Sequence, residues 1–125
     1  MKVFFAEELS KYDFVHVRVS LKGCNEEEFS MLTGAKPEGF KLQLKSLEKL
    51  IEADVSCHPS IMASFSLRKN LDALLKRLGS MNSGLAGEVE NEELILYPHV
   101  FNRIQKYGLK YCSAYTPEGV PPEQI

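Results

Sequence analysis

The sequence predicts an α/β fold in which parallel strands form a barrel wall with helices packed outside it. The chain alternates between the two-residue period of strands and the 3.6-residue period of helices, which is typical of strand–helix units. The segment 14–22 is apolar on one face only, whereas a strand between two helical layers is apolar on both. A polar lumen inside the wall explains this pattern. The apolar face holds Val15, Val17, Val19 and Leu21, and the polar face holds His16, Arg18, Ser20 and Lys22.

The length and charge of the chain narrow the classes of partner. A chain of 125 residues predicts one domain spanning 1–125. The net charge is −2 and no basic stripe is present, so we expect no nucleic-acid partner. No run approaches the roughly 20 apolar residues of a membrane helix, and no signal peptide is recognisable. We therefore expect a cytoplasmic protein without a membrane partner.

In the first half of the chain, two strand–helix units are predicted. Residues 5–12 have the pattern of a short helix, and 14–22 follows as a strand. Asn25 is a suitable N-cap for a second helix, which Gly34 ends. A longer amphipathic helix starts with Pro37 in its first position and continues to about Ala53.

The second half predicts the same alternation. Residues 55–65 form the next strand, with a regular ladder that starts after Pro59 because proline lacks an amide hydrogen. Ser66 caps a helix over 67–78 that Gly79 ends. The remaining predictions are a loop at 80–87, a short strand near 86–90, an ambiguous segment at 92–97, a helix over Pro98–Tyr107 with Phe101 and Ile104 inward and Gly108 as its end, a last strand at 111–115 and an extended tail at 116–125.

The carboxyl ends of the strands are where we expect a binding site. In barrels of parallel strands, active sites lie beyond this end. Lys22, Ser20 and Ser64 are polar, face the lumen and lie near these ends. A lysine there can hold a carboxylate or phosphate as a compact charge, although a solvated lysine is the simpler alternative. Thr33 and Gly34 are better explained as a helix end than as an anion site.

We expect neither a metal site nor a catalytic nucleophile from the spacing of residues. His16, His58 and His99 lie on different elements without the spacing of metal ligands. The chain has no Gly-x-Ser-x-Gly elbow and no glycine-rich phosphate loop. Cys24, Cys57 and Cys112 are an odd number at wide spacing, which argues against a disulfide framework and against a shared metal cluster.

Residues 14–65 resemble radical S-adenosylmethionine (radical SAM) enzymes, and are most similar to the activases of glycyl-radical enzymes. Those proteins have a strand ending Asp-Leu-Lys, a short acidic helix, Leu-Thr-Gly, and then a long helix with Leu-x-x-Leu before the next barrel strand. The corresponding residues here are Ser20-Leu21-Lys22, Glu26–Phe29, Leu32-Thr33-Gly34 and the helix from Phe40 to Ile51.

The resemblance implies a partial (β/α) barrel of about three to four parallel strands with helices on one face. The family cleaves S-adenosylmethionine reductively with a 4Fe-4S cluster, which a Cys-x-x-x-Cys-x-x-Cys loop holds. This chain lacks that loop. Lys22 corresponds to a family lysine near the cofactor pocket, Ser20 replaces the family aspartate, and the arginine of the family's fifth strand has no counterpart in 55–65. The chain therefore resembles the C-terminal half of such a barrel.

Three hypotheses for function follow. In the first, the chain is the substrate-side half of a radical SAM-like enzyme, inactive alone, and a missing N-terminal half supplies the 4Fe-4S cluster and completes the S-adenosylmethionine site. In the second, it is a cluster-less module that self-associates and binds a small anionic ligand or nothing. An independent hydrolase or transferase is the weakest, because no nucleophile–base pair is apparent. The unpaired edge of strand 14–22 predicts a homo-oligomer or a complex with the other half.

Overall fold

Three short parallel strands form the sheet of this computed structural model, which describes residues 5–124. In spatial order the strands are β1 (His16–Leu21), β2 (Ser56–Met62) and β3 (Glu90–Glu92). The helices are α1 (Phe5–Leu9), α2 (Glu26–Thr33), α3 (Gly39–Glu52), α4 (Arg68–Met81) and α5 (Pro98–Tyr107). Short 3-10 turns lie at Ala63–Phe65, Leu85–Glu88, Pro117–Gly119 and Pro122–Gln124. The α/β class with parallel strands is confirmed.

The helices of the two crossovers pack on one face of the sheet. Helices α2 and α3 connect β1 to β2, and α4 connects β2 to β3. Leu21 and Ile61, which pair across β1 and β2, lie in one apolar core with Leu47 of α3 and Leu78 of α4. All four side chains are at most 1% exposed. Their burial is the main source of stability for this layer, because apolar area removed from water stabilises by roughly 25 cal/mol per Å².

A second, smaller apolar cluster attaches α1 to this layer. Ala6 of α1 packs with Leu50 of α3 and with Val55, which precedes β2. The opposite face of the sheet is polar. Within residues 5–124, the helices that pack on the strands through the apolar core all lie on the other face. The strands thus form an open three-stranded sheet, and the crossover helices pack on the face that holds Leu21 and Ile61.

Two helices begin and end where their sequences predict. The Asn25 side-chain oxygen accepts a hydrogen bond from the Glu28 amide at 2.8 Å, and Gly34 ends α2 in the left-handed conformation. Proline at position 98 begins α5, and Gly108 ends it with φ +64°. In both cases a residue at the end satisfies backbone groups that the helix leaves unpaired.

The prediction that the ladder of β2 starts after Pro59 is wrong. Pro59 pairs with Val19 in the middle of a ladder that begins at Ser56. The φ angle of proline is compatible with an extended strand, so the ladder loses only the one hydrogen bond that an amide at position 59 would donate. The pairs on either side, Arg18 with His58 and Ser20 with Ser60, hold the register across it.

The predicted ends of α4 are also wrong. The N-cap is Leu67, because the Ser66 hydroxyl is engaged with Glu28 on another element. Gly79 lies inside the helix, which continues to Met81. The burial of Leu78 and the contact of Met81 with the core favour this continuation over the roughly 0.5–1 kcal/mol cost of an internal glycine.

Several smaller predictions differ from the structure. Helix α3 begins at Gly39, and Pro37 lies in the preceding turn, where its carbonyl accepts from the Phe40 amide. Phe101 is 40% exposed, whereas Ile104 is buried as predicted. The expected strand at 111–115 is reduced to one parallel bridge between Ile95 and Tyr115. Helix α1 is shorter than the predicted 5–12, and residues 63–65 turn out of β2 instead of continuing it. Residues 85–88 form a 3-10 turn where a loop and the start of a strand were expected. Residues 117–124 contain two 3-10 turns instead of a wholly extended tail.

None of the helices found in residues 5–124 combines the length and the apolar character that crossing a membrane requires.

Candidate functional site

The polar face of the sheet, termed here the open face, collects side chains from all three strands. Successive side chains of a strand point to opposite faces, so every second residue contributes. The in-register pairs place these residues in rows across the sheet. The open face consists of His16, Arg18 and Ser20 from β1, Ser56, His58 and Ser60 from β2, and Glu90 and Glu92 from β3.

Arg18 connects the two outer strands of the open face. Its Nε lies 2.5 Å from Glu90 Oε2, and its other guanidinium nitrogen Nη2 lies 2.7 Å from Glu92 Oε1. The hydrogen bonds to the two carboxylates raise the pKa of Arg18 above its ordinary value. The pKa of Glu90 is lowered by its hydrogen bonds with His58 and Arg18. These hydrogen bonds therefore favour the charged forms of Arg18 and Glu90.

A row of hydrogen-bonded side chains crosses the amino-terminal end of the open face. Ser56 Oγ lies 2.6 Å from His16 Nδ1, and His16 Nε2 lies 2.7 Å from His58 Nδ1. On the far side, His58 Nε2 lies 3.3 Å from Glu90 Oε2. One continuous row of hydrogen bonds thus joins a serine, two imidazoles and a carboxylate from three strands.

The carboxyl-terminal end of the open face brings together two of the predicted site residues. Lys22 Nζ donates to Ser20 Oγ at 3.2 Å, and none of the ion pairs found within residues 5–124 includes Lys22. Ser60, the neighbour of Ser20 in register, is fully buried, and its hydroxyl has no hydrogen-bond partner in the part of the chain described. The Lys22 ammonium, one residue past the end of β1, and the unsatisfied hydroxyl of Ser60 in β2 are therefore both neighbours of Ser20.

Ser64, the third predicted site residue, is fully buried in the 3-10 turn after β2. Its hydroxyl donates to Glu93 Oε2 at 2.9 Å and accepts from the Leu94 amide at 2.7 Å. Its carbonyl accepts from the Cys112 amide. These bonds attach the segments after β3 and α5 to the sheet, and they occupy the polar groups of Ser64.

The cysteines lie in different environments. Cys57 lies on the helix-facing side of the sheet, where it pairs in register with Val17. Cys24 is buried after β1, and burial raises its pKa to about 11. Cys112 is exposed. Within residues 5–124 no group of three or more histidine, cysteine or acidic side chains has a geometry that fits a metal ion.

An apolar groove of about 540 Å³ runs along the outer edge of β1. Phe5, Ala6 and Leu9 of α1 form one side, Ser46, Lys49 and Leu50 of α3 form another, and residues 17–20 of β1 form its floor. Phe5 is 82% exposed within it. Because β1 is the first strand of the sheet found in residues 5–124, the groove lies along the free edge of that sheet.

Compared with protein-family models, with curated proteins and with solved structures, the chain shows no significant match.

The sequence predicted the polar face of β1, but it did not predict the row of hydrogen bonds that runs from Ser56 through His16 and His58 to Glu90. His16 and His58 are 42 residues apart, and Glu90 is 32 residues beyond His58. Alternating polar residues in both predicted strands were the available signal. Only the register of the sheet brings them together, and periodicity alone does not specify that register.

Proposed function

We propose that this chain is the substrate-side half of a radical SAM-like barrel and acts in the cytoplasm with a second polypeptide. The open face is then the inner wall of the barrel, and the edge of β1 is where the other half joins it. The observation that supports this proposal best is a parallel sheet with helices on one face and charged side chains on the other. Such a face is expected where a barrel lumen lies.

The edge of β1 has the features of a strand edge that can pair with a strand of another polypeptide. The Lys22 amide, one residue beyond the last pair with β2, donates to Gln43 Oε1 of α3 at 2.9 Å. Because β1 is the first strand of the sheet, its outward-facing backbone donors and acceptors have no ladder partner among the strands found in residues 5–124. Unpaired backbone groups beside an apolar groove favour the addition of a strand and its helix.

A ligand-binding role for Lys22, Ser20 and Ser60 follows from the same arrangement. The Lys22 ammonium can pair with a carboxylate or phosphate, and Ser20 and Ser60 can donate hydrogen bonds to it. A buried hydroxyl without a partner is costly, and a ligand oxygen would remove that cost. The resemblance to radical SAM enzymes makes S-adenosylmethionine the expected ligand in the completed barrel. The hydroxyl of Ser64 contributes less, because Glu93 and Leu94 already use it.

The iron–sulfur cluster belongs to the other half in this proposal. The cysteines of this chain do not converge, so the partner has to provide the Cys-x-x-x-Cys-x-x-Cys loop. Held by the partner half, the cluster would supply the electron for reductive cleavage of S-adenosylmethionine. This chain contributes the polar wall against which the cofactor and substrate lie.

Co-purification with the polypeptide encoded immediately upstream of this chain tests the proposal. We expect a one-to-one complex that binds about four irons after anaerobic reconstitution and forms 5′-deoxyadenosine, whereas the chain alone does neither. Ser46→Arg should abolish the complex, because it places a long charged side chain in the groove. Ser80→Arg is the matched control, since both serines are exposed on helices and donate to the carbonyl three residues earlier.

The alternative is a cluster-less module that covers the same groove with a second copy of itself. The apolar lining of the groove and the free edge of β1 favour it as well. Light scattering coupled to gel filtration separates the two. A homodimer that Ser46→Arg dissociates, without a complex with the upstream polypeptide, would support the module. A monomer of 14.1 kDa that binds no partner would overturn both.

A further inference from the structure

With both imidazoles neutral, the row of hydrogen bonds from Ser56 to Glu90 admits one arrangement of protons. Glu90 is a carboxylate at neutral pH, since hydrogen bonds from His58 and Arg18 lower its pKa. A carboxylate only accepts, so His58 Nε2 bears the proton and His58 Nδ1 is the acceptor. His16 Nε2 therefore donates to His58 Nδ1, and His16 Nδ1 is left as an acceptor. The Ser56 hydroxyl, 2.6 Å away, donates to it.

The two imidazoles are aligned for this role. Their planes differ by 21°, and their centroids are 5.0 Å apart, which is the N···N distance of 2.7 Å plus about one ring width. The rings are thus joined edge to edge in nearly one plane. This is the geometry of a strong in-plane hydrogen bond, and it is not that of a face-to-face stack.

Ser56 differs in this respect from other exposed serines of the chain. Ser46 and Ser80 donate to backbone carbonyls, which cannot take up a proton. Ser56 donates to a neutral imidazole nitrogen that a second imidazole and a carboxylate orient. A hydroxyl beside a general base that a third group orients is the arrangement of an activated nucleophile.

We propose that Ser56 is a nucleophile for activated acyl donors, such as esters and thioesters, with His16 as its base and His58 and Glu90 as positioning residues. Ser56 Oγ forms a bond to the acyl carbon, and the bond from that carbon to the leaving oxygen or sulfur breaks. The Ser56 proton passes to His16 Nδ1 and then to the leaving group. Water hydrolyses the acyl-serine by the reverse proton path. The site lies at the amino ends of β1 and β2, so it is independent of the function proposed above for the carboxyl ends.

A small alkyl fluorophosphonate tests the proposal on the isolated chain. Ser56 Oγ would form a bond to phosphorus, fluoride would leave, and His16 would take the proton. We expect one adduct per chain, which peptide mass spectrometry locates on Ser56 and which Ser56→Ala abolishes.

Variants of the base and of the positioning residues complete the test. His16→Ala should slow labelling at least about 100-fold. Glu90→Gln should slow it by about 10-fold or more, because the amide can reverse the tautomer of His58. Thermal melting confirms that each variant folds, and Ser80→Ala should label at the wild-type rate. The proposal is overturned if no adduct forms on Ser56, or if His16→Ala labels as fast as the wild type while it remains folded.

Discussion

Gly23 and Phe29 approach each other so closely that a Cβ atom on residue 23 would lie 2.6 Å from the Phe29 amide nitrogen. Gly23 also has φ +82°, a conformation that residues with side chains rarely adopt. This contact joins the end of β1 to the first turns of α2. It therefore fixes where Lys22 leaves the sheet, and with it the carboxyl-terminal end of the candidate site.

Gly23→Ala should destabilise the fold more than Gly34→Ala. Both glycines have positive φ, so each substitution introduces backbone strain of about 1–3 kcal/mol. Only the new Cβ at position 23 also meets backbone atoms, since nothing lies within 4 Å of the one at 34. Urea unfolding of both variants measures the difference. Equal losses of stability would show that the close approach to Phe29 contributes nothing.

Leu47→Ala should remove about 2–5 kcal/mol from the free energy of unfolding. Leu47 is fully buried in the core that β1, β2 and α4 share with α3, so truncation leaves a cavity. Leu42 lies on the same helix, and 71% of it is exposed. Leu42→Ala makes the same chemical change and should alter stability by no more than about 0.5 kcal/mol. A small effect at Leu47 would contradict the assignment of the core to this face of the sheet.

The sequence was sufficient to predict the class of the fold because its signals are local. The Asn25 cap, the Gly34 end and the apolar spacing of α3 each act within a few residues. Predictions failed where a distant contact decided the outcome. Ser66 is not a helix cap because its hydroxyl contacts Glu28, 38 residues earlier, and α4 continues through Gly79 because Leu78 lies in the core.

The candidate site was predicted only in part for the same reason. Lys22 and Ser20 are two residues apart on one strand, so their contact follows from periodicity. The partners of Ser64 are different: Glu93 is 29 residues later, in a segment whose structure was ambiguous from the sequence. The row from Ser56 to Glu90 depends on the pairing of three strands, and β3 is only three residues long.

The three cysteines should react with iodoacetamide in a fixed order. Burial raises the pKa of Cys24 to about 11, so only about one part in a thousand is thiolate at pH 8. Burial also raises the pKa of Cys57. Cys112 is exposed and should be alkylated first, with Cys24 reacting only on unfolding. Timed alkylation with peptide mass spectrometry checks this order. Rapid modification of Cys24 in the folded chain would place it outside the core.

The ion pair between α2 and α4 should make stability sensitive to acid. Arg77 donates to both carboxylate oxygens of Glu26, at 2.8 and 3.0 Å, and these hydrogen bonds lower the pKa of Glu26. A carboxylate with a lowered pKa in the folded state stabilises the fold above the ordinary value of 4.5. That contribution is lost as pH falls from 4.5 through the lower folded-state pKa.

Glu26→Gln should therefore lower the free energy of unfolding at pH 7, and by less at pH 3, which lies below the ordinary pKa of 4.5. The loss at pH 7 should stay below about 1 kcal/mol, because about a third of each side chain is exposed and water screens the pair. Glu27→Gln controls for the helix dipole, since Glu27 lies in the same first turn and none of the ion pairs found in residues 5–124 includes it. Urea unfolding of the wild type and both variants at the two pH values measures these effects. If Glu26→Gln and Glu27→Gln respond to pH alike, the Arg77 contact is not the source of the acid sensitivity.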